Sequence, residues 1–184
     1  MTIDQVDRTV VTAGPATAAD QATIPVTQLS PTDPTEATAK VAESLQATLV
    51  ELIDLSLQAK QAHWNLLDPS FKPIRLFLDE LTDEYRDWYD EVAERLAASG
   101  VAADGRIATV SAGTPLESLP AGQLRDQDVL AFFDARITLL ADRVRARLDP
   151  IGAHDLLSQH LLLSIVLGLD DQCLTLGAYR SGST

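Results

Sequence analysis

Four long stretches of the chain repeat apolar side chains at intervals of three and four residues, which is the spacing of one face of an α-helix. The first begins at the capping sequence Asp33-Pro34-Thr35-Glu36 and ends near Leu67. The second follows the break at Asp68-Pro69-Ser70 and ends at Gly100, a residue suited to a helix C-cap. Long helices of this kind predict an all-α protein.

The breaks between the stretches predict how the helices are connected. The third stretch covers residues 126–148, stops at Asp149-Pro150-Ile151-Gly152, and is followed by a fourth at 154–177. Residues 101–125 separate the second stretch from the third and lack periodicity, with a short helix expected at 115–119. Two short antiparallel connections and one long middle crossover are typical of one variety of four-helix bundle.

The chain of 184 residues suits one domain with a sizeable core. We place this domain at residues 33–178. Residues 1–32 are rich in Thr, Ala and Pro and contain Arg8 as their only basic side chain, so we expect a flexible N-terminal tail. Residues 179–184 are expected to form a short C-terminal tail.

Composition restricts the compartment and the partners. The net charge of −13 attracts metal cations and opposes nucleic acid. Cys173 is the only cysteine, and the N-terminus lacks the apolar core of a signal peptide. The longest nearly apolar run, Leu161 to Leu169, is much shorter than a membrane span. We therefore expect a cytoplasmic protein without membrane association.

An acidic ridge on the second helix is the first candidate for chemistry. Its residues are Asp79, Asp83, Asp90 and Glu94, whose spacings of 4, 7 and 4 place them in one narrow sector. A solvated acidic face is the simpler interpretation of such spacing. The alternative is a set of metal ligands, because Fe(II) prefers carboxylate and imidazole donors.

His63 is the candidate imidazole for this ridge, although it lies on the apolar stripe of the first helix and a hydrogen-bonded core histidine is the simpler interpretation. No Glu-x-x-His pair occurs around His63, His154 or His160, so a di-iron centre inside one bundle is not expected. If His63 shares a metal with Asp90 and Glu94, the two sides must come from neighbouring subunits.

Three segments resemble the Dps family of ferritin-like proteins. They are Lys60–Asn65 (KQAHWN), Phe71–Glu80 (FKPIRLFLDE) and Asp90–Arg95 (DEVAER), and the resemblance extends over residues 40–178. It implies a ferritin-like four-helix bundle that assembles into a dodecameric shell. Such a shell oxidises Fe(II), typically with hydrogen peroxide, stores the ferric mineral, and needs no organic cofactor.

The resemblance also implies roles for individual residues. His63 would be an iron ligand from one subunit, and Asp90 and Glu94 would be ligands from its partner. Asp79 would be an auxiliary group beside His63, and Trp64 would adjoin the site. Together these residues would form the ferroxidase centre of an oxidoreductase that limits oxidative stress.

Arg75 departs from the family pattern. It stands twelve residues after His63, where the family usually has a second histidine. A guanidinium cannot bind a metal. We expect Arg75 to pair with Asp79 and to occupy the second-metal region, leaving one strong iron position and one that is weak or absent. The alternative is a structural or DNA-compacting shell with impaired ferroxidase activity.

Two further expectations concern pores and partners. Asp155 and His160 either line an iron-entry pore or are ordinary residues of the helix surface. Because the tail before Lys40 carries one Arg and no Lys, direct DNA binding should be weak or absent, although association with the nucleoid stays open. An unrelated helical partner-binding domain, monomeric or dimeric, is the third functional alternative.

Overall fold

The computed structural model describes residues 36–67 and 72–182, and these residues form five helices. The helices are α1 (Glu36–Asn65), α2 (Lys72–Ala98), α3 (Ile107–Gly113), α4 (Asp126–Gly152) and α5 (Leu156–Gly182). Helix α1 pairs with α2 and α4 pairs with α5, and the two pairs pack together into a bundle. The predicted all-α bundle is confirmed. The tail 1–32, the cap residues 33–35 and the break at 68–70 lie outside the described residues.

The apolar stripes predicted from the sequence are buried. Leu45, Leu52 and Ala59 of α1 are fully buried, as are Leu81 and Tyr85 of α2. Each buried leucine contributes about 1.5–3 kcal/mol relative to an exposed one. This burial fixes the rotation of each helix, and in α2 it turns the acidic ridge away from the core.

A buried ion cluster joins α1 to α4. Glu51 is 1% exposed and accepts hydrogen bonds from Arg143 Nε at 2.6 Å and from both terminal nitrogens of Arg147 at 2.6 and 2.8 Å. Arg147 also donates to Thr48 Oγ1 at 2.9 Å. Because a buried charge is tolerated only when it is paired, the cluster favours one alignment of the two helices.

The middle crossover carries its short helix at Ile107–Gly113, so the prediction of a helix at 115–119 was wrong. Thr114 precedes a proline and has extended backbone angles, φ −72° and ψ 129°, as the proline ring requires. Polar side chains of α1 hold the crossover. Gln46 exchanges two hydrogen bonds with the backbone of Asp104, and Asp54 accepts one from the Thr114 hydroxyl.

Several helix ends differ from the prediction. Helix α4 continues through Pro150 to Gly152, because a proline in the last turn removes only one hydrogen bond. Helix α5 continues to Gly182, so most of the predicted C-terminal tail is helical. Tyr179 packs on Phe77 with ring centroids 5.5 Å apart, and Arg180 pairs with Asp134. These contacts explain the extension.

Helix α5 is long and apolar enough over Leu156–Ser181 to cross a membrane by length and composition alone. The core helix of a soluble protein passes the same test. In this fold α5 packs along α4 and buries Leu162, Ile165 and Leu169 in the bundle core. That the protein has no membrane partner remains a prediction.

Candidate metal centre

His63 lies in the last turn of α1, and its imidazole faces α2. Its Nε2 atom is 3.1 Å from Oδ2 of Asp79, and the side chain is 22% exposed. Its Nδ1 atom is buried and has no hydrogen-bond partner among the described residues. The imidazole is therefore satisfied at one nitrogen, and its contact with Asp79 is the one that was predicted.

Asp79 is shared between two side chains of α1. While Oδ2 faces His63, Oδ1 lies 2.6 Å from Nζ of Lys60. Lys60 precedes His63 by three residues, which places both on neighbouring positions of one helix face. Lys60 was not among the site residues predicted from the sequence, although its spacing of three residues from His63 is visible there. Its ammonium group opposes the entry of a metal cation beside Asp79.

Arg75 does not pair with Asp79, so that expectation was wrong. Its guanidinium donates to the backbone carbonyl oxygen of His63 at 2.8 Å and to that of Leu66 at 2.5 Å. Helix α1 ends here, and the last carbonyl groups of a helix lack donors from the helix itself. These carbonyl groups offer the guanidinium two acceptors, while Lys60 and His63 already contact both oxygens of Asp79.

Asp90 and Glu94 lie on the other half of α2. Both are exposed and make no hydrogen bond or ion pair with any described part of the chain. Eleven residues separate Asp79 from Asp90, which is about 16 Å along a helix. One subunit therefore does not bring His63 to Asp90 and Glu94. In residues 36–67 and 72–182, no three His, Cys, Asp or Glu side chains form a group suited to a metal ion.

Large apolar side chains are exposed around His63. Trp64 is 66% exposed and Leu57, seven residues earlier on the same face of α1, is 59% exposed. Leu67 and Leu76 are about half exposed at the adjoining end of the helix pair. Apolar residues clustered on a surface are typical of a contact with another protein chain.

Asp155 already has a role in the fold. Its Oδ1 caps α5 by accepting the backbone N–H groups of Leu157 and Ser158, and its Oδ2 accepts Arg95 at 2.7 Å. Burial raises the pKa of Asp155, but the hydrogen bonds from Arg95 and Ser158 outweigh burial and lower the pKa to about 2. His160 is exposed on the next turn. Their assignment to a pore remains a prediction.

Comparison with known proteins decides the family. Residues 42–171 match the family model of the ferritin-like domain. A DNA protection during starvation protein of Agrobacterium fabrum is 33% identical over 116 residues, which cover 63% of this chain and 72% of that protein. This chain belongs to the Dps family of ferritin-like proteins.

Other similarities of this Dps-family chain cover most of its length. The fine tangled pili major subunit of Haemophilus ducreyi is 35% identical over 130 residues, covering 71% of this chain and 69% of that protein. The structure of Dps from Microbacterium arborescens in the high iron form superposes with a TM-score of 0.75 at 29% identity, covering 83% of this chain and 99% of the other.

Proposed function

We propose that this Dps-family protein oxidises Fe(II) at sites shared between two subunits and stores the ferric product in a dodecameric shell. The observation that supports this most strongly is the division of the candidate ligands. His63 of α1 contacts Asp79 in the first half of α2, and exposed Asp90 and Glu94 lie in the second half of α2 in the same sector as Asp79. Neither pair of side chains forms a complete set of metal ligands by itself.

A two-fold axis across α2 would complete both sets at once. It would place Asp90 and Glu94 of the partner subunit opposite His63, and the reverse pairing would form a second, identical site. The exposed apolar residues Leu57, Trp64 and Leu76 lie where such a contact would cover them. Burial of this apolar surface would supply the attraction between the subunits.

Imidazole and carboxylate oxygens are suitable ligands for Fe(II) as a substrate. In the proposed reaction two Fe(II) ions each lose one electron, and one hydrogen peroxide molecule accepts both electrons and two protons to give two water molecules. The carboxylates of Asp90 and Glu94 stabilise the higher charge of the Fe(III) product more than that of Fe(II). The similar Microbacterium arborescens protein is known in a form with high iron.

The second iron position is proposed to be weak, and Lys60 rather than Arg75 is the reason. The Lys60 ammonium occupies one oxygen of Asp79 and places a positive charge beside His63. This contact also favours a second candidate function, a structural shell with impaired iron oxidation. Such a shell would assemble normally in the cytoplasm but would lack rapid iron chemistry.

Anaerobic titration with Fe(II), followed by separate additions of peroxide and oxygen, tests the proposal. We expect saturation near one tightly bound Fe(II) for each shared site, about one per subunit, and faster oxidation by peroxide than by oxygen. An assembled shell without saturable binding or rapid oxidation would support the structural alternative. Native mass measurement showing only monomers or dimers would contradict the shell itself.

A further inference from the structure

We propose that Arg75 is a positioning residue for His63, holding the end of α1 by its backbone so that the imidazole keeps one orientation when iron arrives. The inference deepens the proposed iron site and rests on it. It assigns a role to the residue that replaces a ligand of the family pattern, and that role differs from repelling a second metal ion.

The hydrogen bonds at the end of α1 show why a side chain must hold its backbone. We call the contact of Arg75 with the carbonyl groups of His63 and Leu66 the clamp. In a continuing helix the N–H of Leu67 would donate to the carbonyl of His63. That N–H instead donates to the carbonyl of Leu124 at 2.9 Å. Arg75 takes its place, with one guanidinium nitrogen on the His63 carbonyl and the other on the Leu66 carbonyl. The chain can therefore leave the helix without leaving the His63 carbonyl unsatisfied.

The same face of α2 holds the His63 side chain. Arg75 and Asp79 are four residues apart and so are neighbours on the helix surface. Arg75 binds the backbone of His63, while Asp79 contacts its imidazole at 3.1 Å. His63 is thus attached to α2 at two points, and the direction of its ring depends on both.

The planar fork of arginine suits this role, because it can donate to two carbonyl groups at once. Lysine has the same charge but presents a point ammonium group. The two explanations of Arg75 therefore differ in what they expect of a lysine in its place. If positive charge is the role, Arg75→Lys behaves as the wild type, whereas if the clamp is the role, it behaves like an uncharged variant.

The experiment uses full-length assembled shells of the wild type, Arg75→Lys and Arg75→Gln. Arg145→Gln is the matched control, because Arg145 is exposed on α4 and its guanidinium pairs with Asp142 and Asp170 rather than with a backbone group of α1. Two quantities are measured: Co(II) affinity by absorption spectroscopy, and hydrogen exchange of residues 60–66 in metal-free protein. Each variant is also measured as a minority subunit co-assembled with wild type, so that a shell that fails to form does not end the test.

We expect Arg75→Lys and Arg75→Gln to weaken Co(II) binding alike, by about tenfold or more, and to speed exchange at the end of α1. Arg145→Gln should change neither quantity. Wild-type Co(II) affinity in Arg75→Lys, with a change only in Arg75→Gln, would overturn the clamp in favour of charge. Unchanged exchange in both variants would overturn it as well. If wild-type protein binds no Co(II), the proposed function fails, and the exchange result still decides whether the clamp exists.

Discussion

At the scale of single residues, the candidate site combines a histidine that is paired within one subunit with carboxylates that are not. Asp90 is exposed and unpaired in the described structure, and the His63 ring pairs with Asp79 at 3.1 Å. We expect His63→Ala and Asp90→Ala each to remove most rapid Fe(II) oxidation, since each deletes a ligand from a small set. Stopped-flow absorbance on assembled shells measures the initial rate.

Asp83 provides the matched control for this prediction. It is exposed on the same ridge as Asp90 and likewise makes no ion pair with the described chain. Asp83→Ala should therefore keep the wild-type rate. If it slows oxidation as much as Asp90→Ala does, the ridge acts by its general negative charge, and the assignment of specific ligands is wrong.

Lys60 carries a second prediction at this scale. Replacing it with methionine removes the ammonium 2.6 Å from Asp79 and leaves a carboxylate free to face a cation. Lys60→Met should raise the number of tightly bound Fe(II) ions per subunit in an anaerobic titration. Lys40→Met is the control, because Lys40 pairs with Glu36 on the surface of α1. Unchanged stoichiometry would show that Lys60 does not limit the second position.

At the scale of helices, the cap of α5 predicts how the stability of the fold changes at acid pH. The pKa of Asp155 is about 2 in the folded chain, below its ordinary value of 3.8. A lowered pKa means that the charged form stabilises the fold above about pH 4, and that this contribution is lost as the pH falls through about 2. Urea unfolding should show that the free energy of unfolding declines between about pH 4 and about pH 2. This decline should be smaller in Asp155→Asn.

Asparagine is an informative replacement because its side-chain oxygen can still cap a helix, whereas its amide cannot pair with Arg95 as a charge. Asp155→Ala should lose the cap as well and should be less stable at neutral pH by about 0.5–2 kcal/mol. An acid decline in Asp155→Asn as steep as that of the wild type would assign the pH dependence to other carboxylates.

The sequence allowed the helices to be predicted wherever burial alone determines them. The stripe containing Leu45 and Leu52 is buried as expected, and Gly100 ends the turn after α2 with φ of 78°. Helix α3 could not be located in this way, because the crossover is held by polar contacts such as that between Gln46 and Asp104, which lie 58 residues apart. Local sequence does not reveal such distant partners.

The candidate site, like the fold, could be predicted from the sequence only in part. The motifs identified His63, Asp79 and Asp90, and the contact of the first two is present. The partners of Arg75 were missed because they are backbone groups, made available only by the way α1 ends. A motif specifies residue types, whereas the carbonyl acceptors left unpaired at the end of a helix depend on the folded chain.

At the scale of the whole molecule, the net charge of −13 per subunit opposes DNA binding, and assembly would repeat it in every subunit. We expect metal-free shells to leave DNA free in a gel-shift assay at 0.15 M salt, an ionic strength at which the Debye length is about 8 Å. Protection of DNA would then act through removal of iron and peroxide. A retarded band that disappears at higher salt would contradict this, because it indicates direct contacts with phosphates.

The sharing of each site between two subunits is the central claim, and mixed shells test it most directly. Shells of His63→Ala alone and of Asp90→Ala alone should oxidise Fe(II) slowly. In shells co-assembled from equal amounts of both variants, a shared site draws its two halves from independent subunits, so about a quarter of the sites should be intact. We predict recovery of about a quarter of the rapid phase of the wild type, with native mass spectrometry confirming mixed assembly. Mixed shells as slow as the single-variant shells would contradict the shared site.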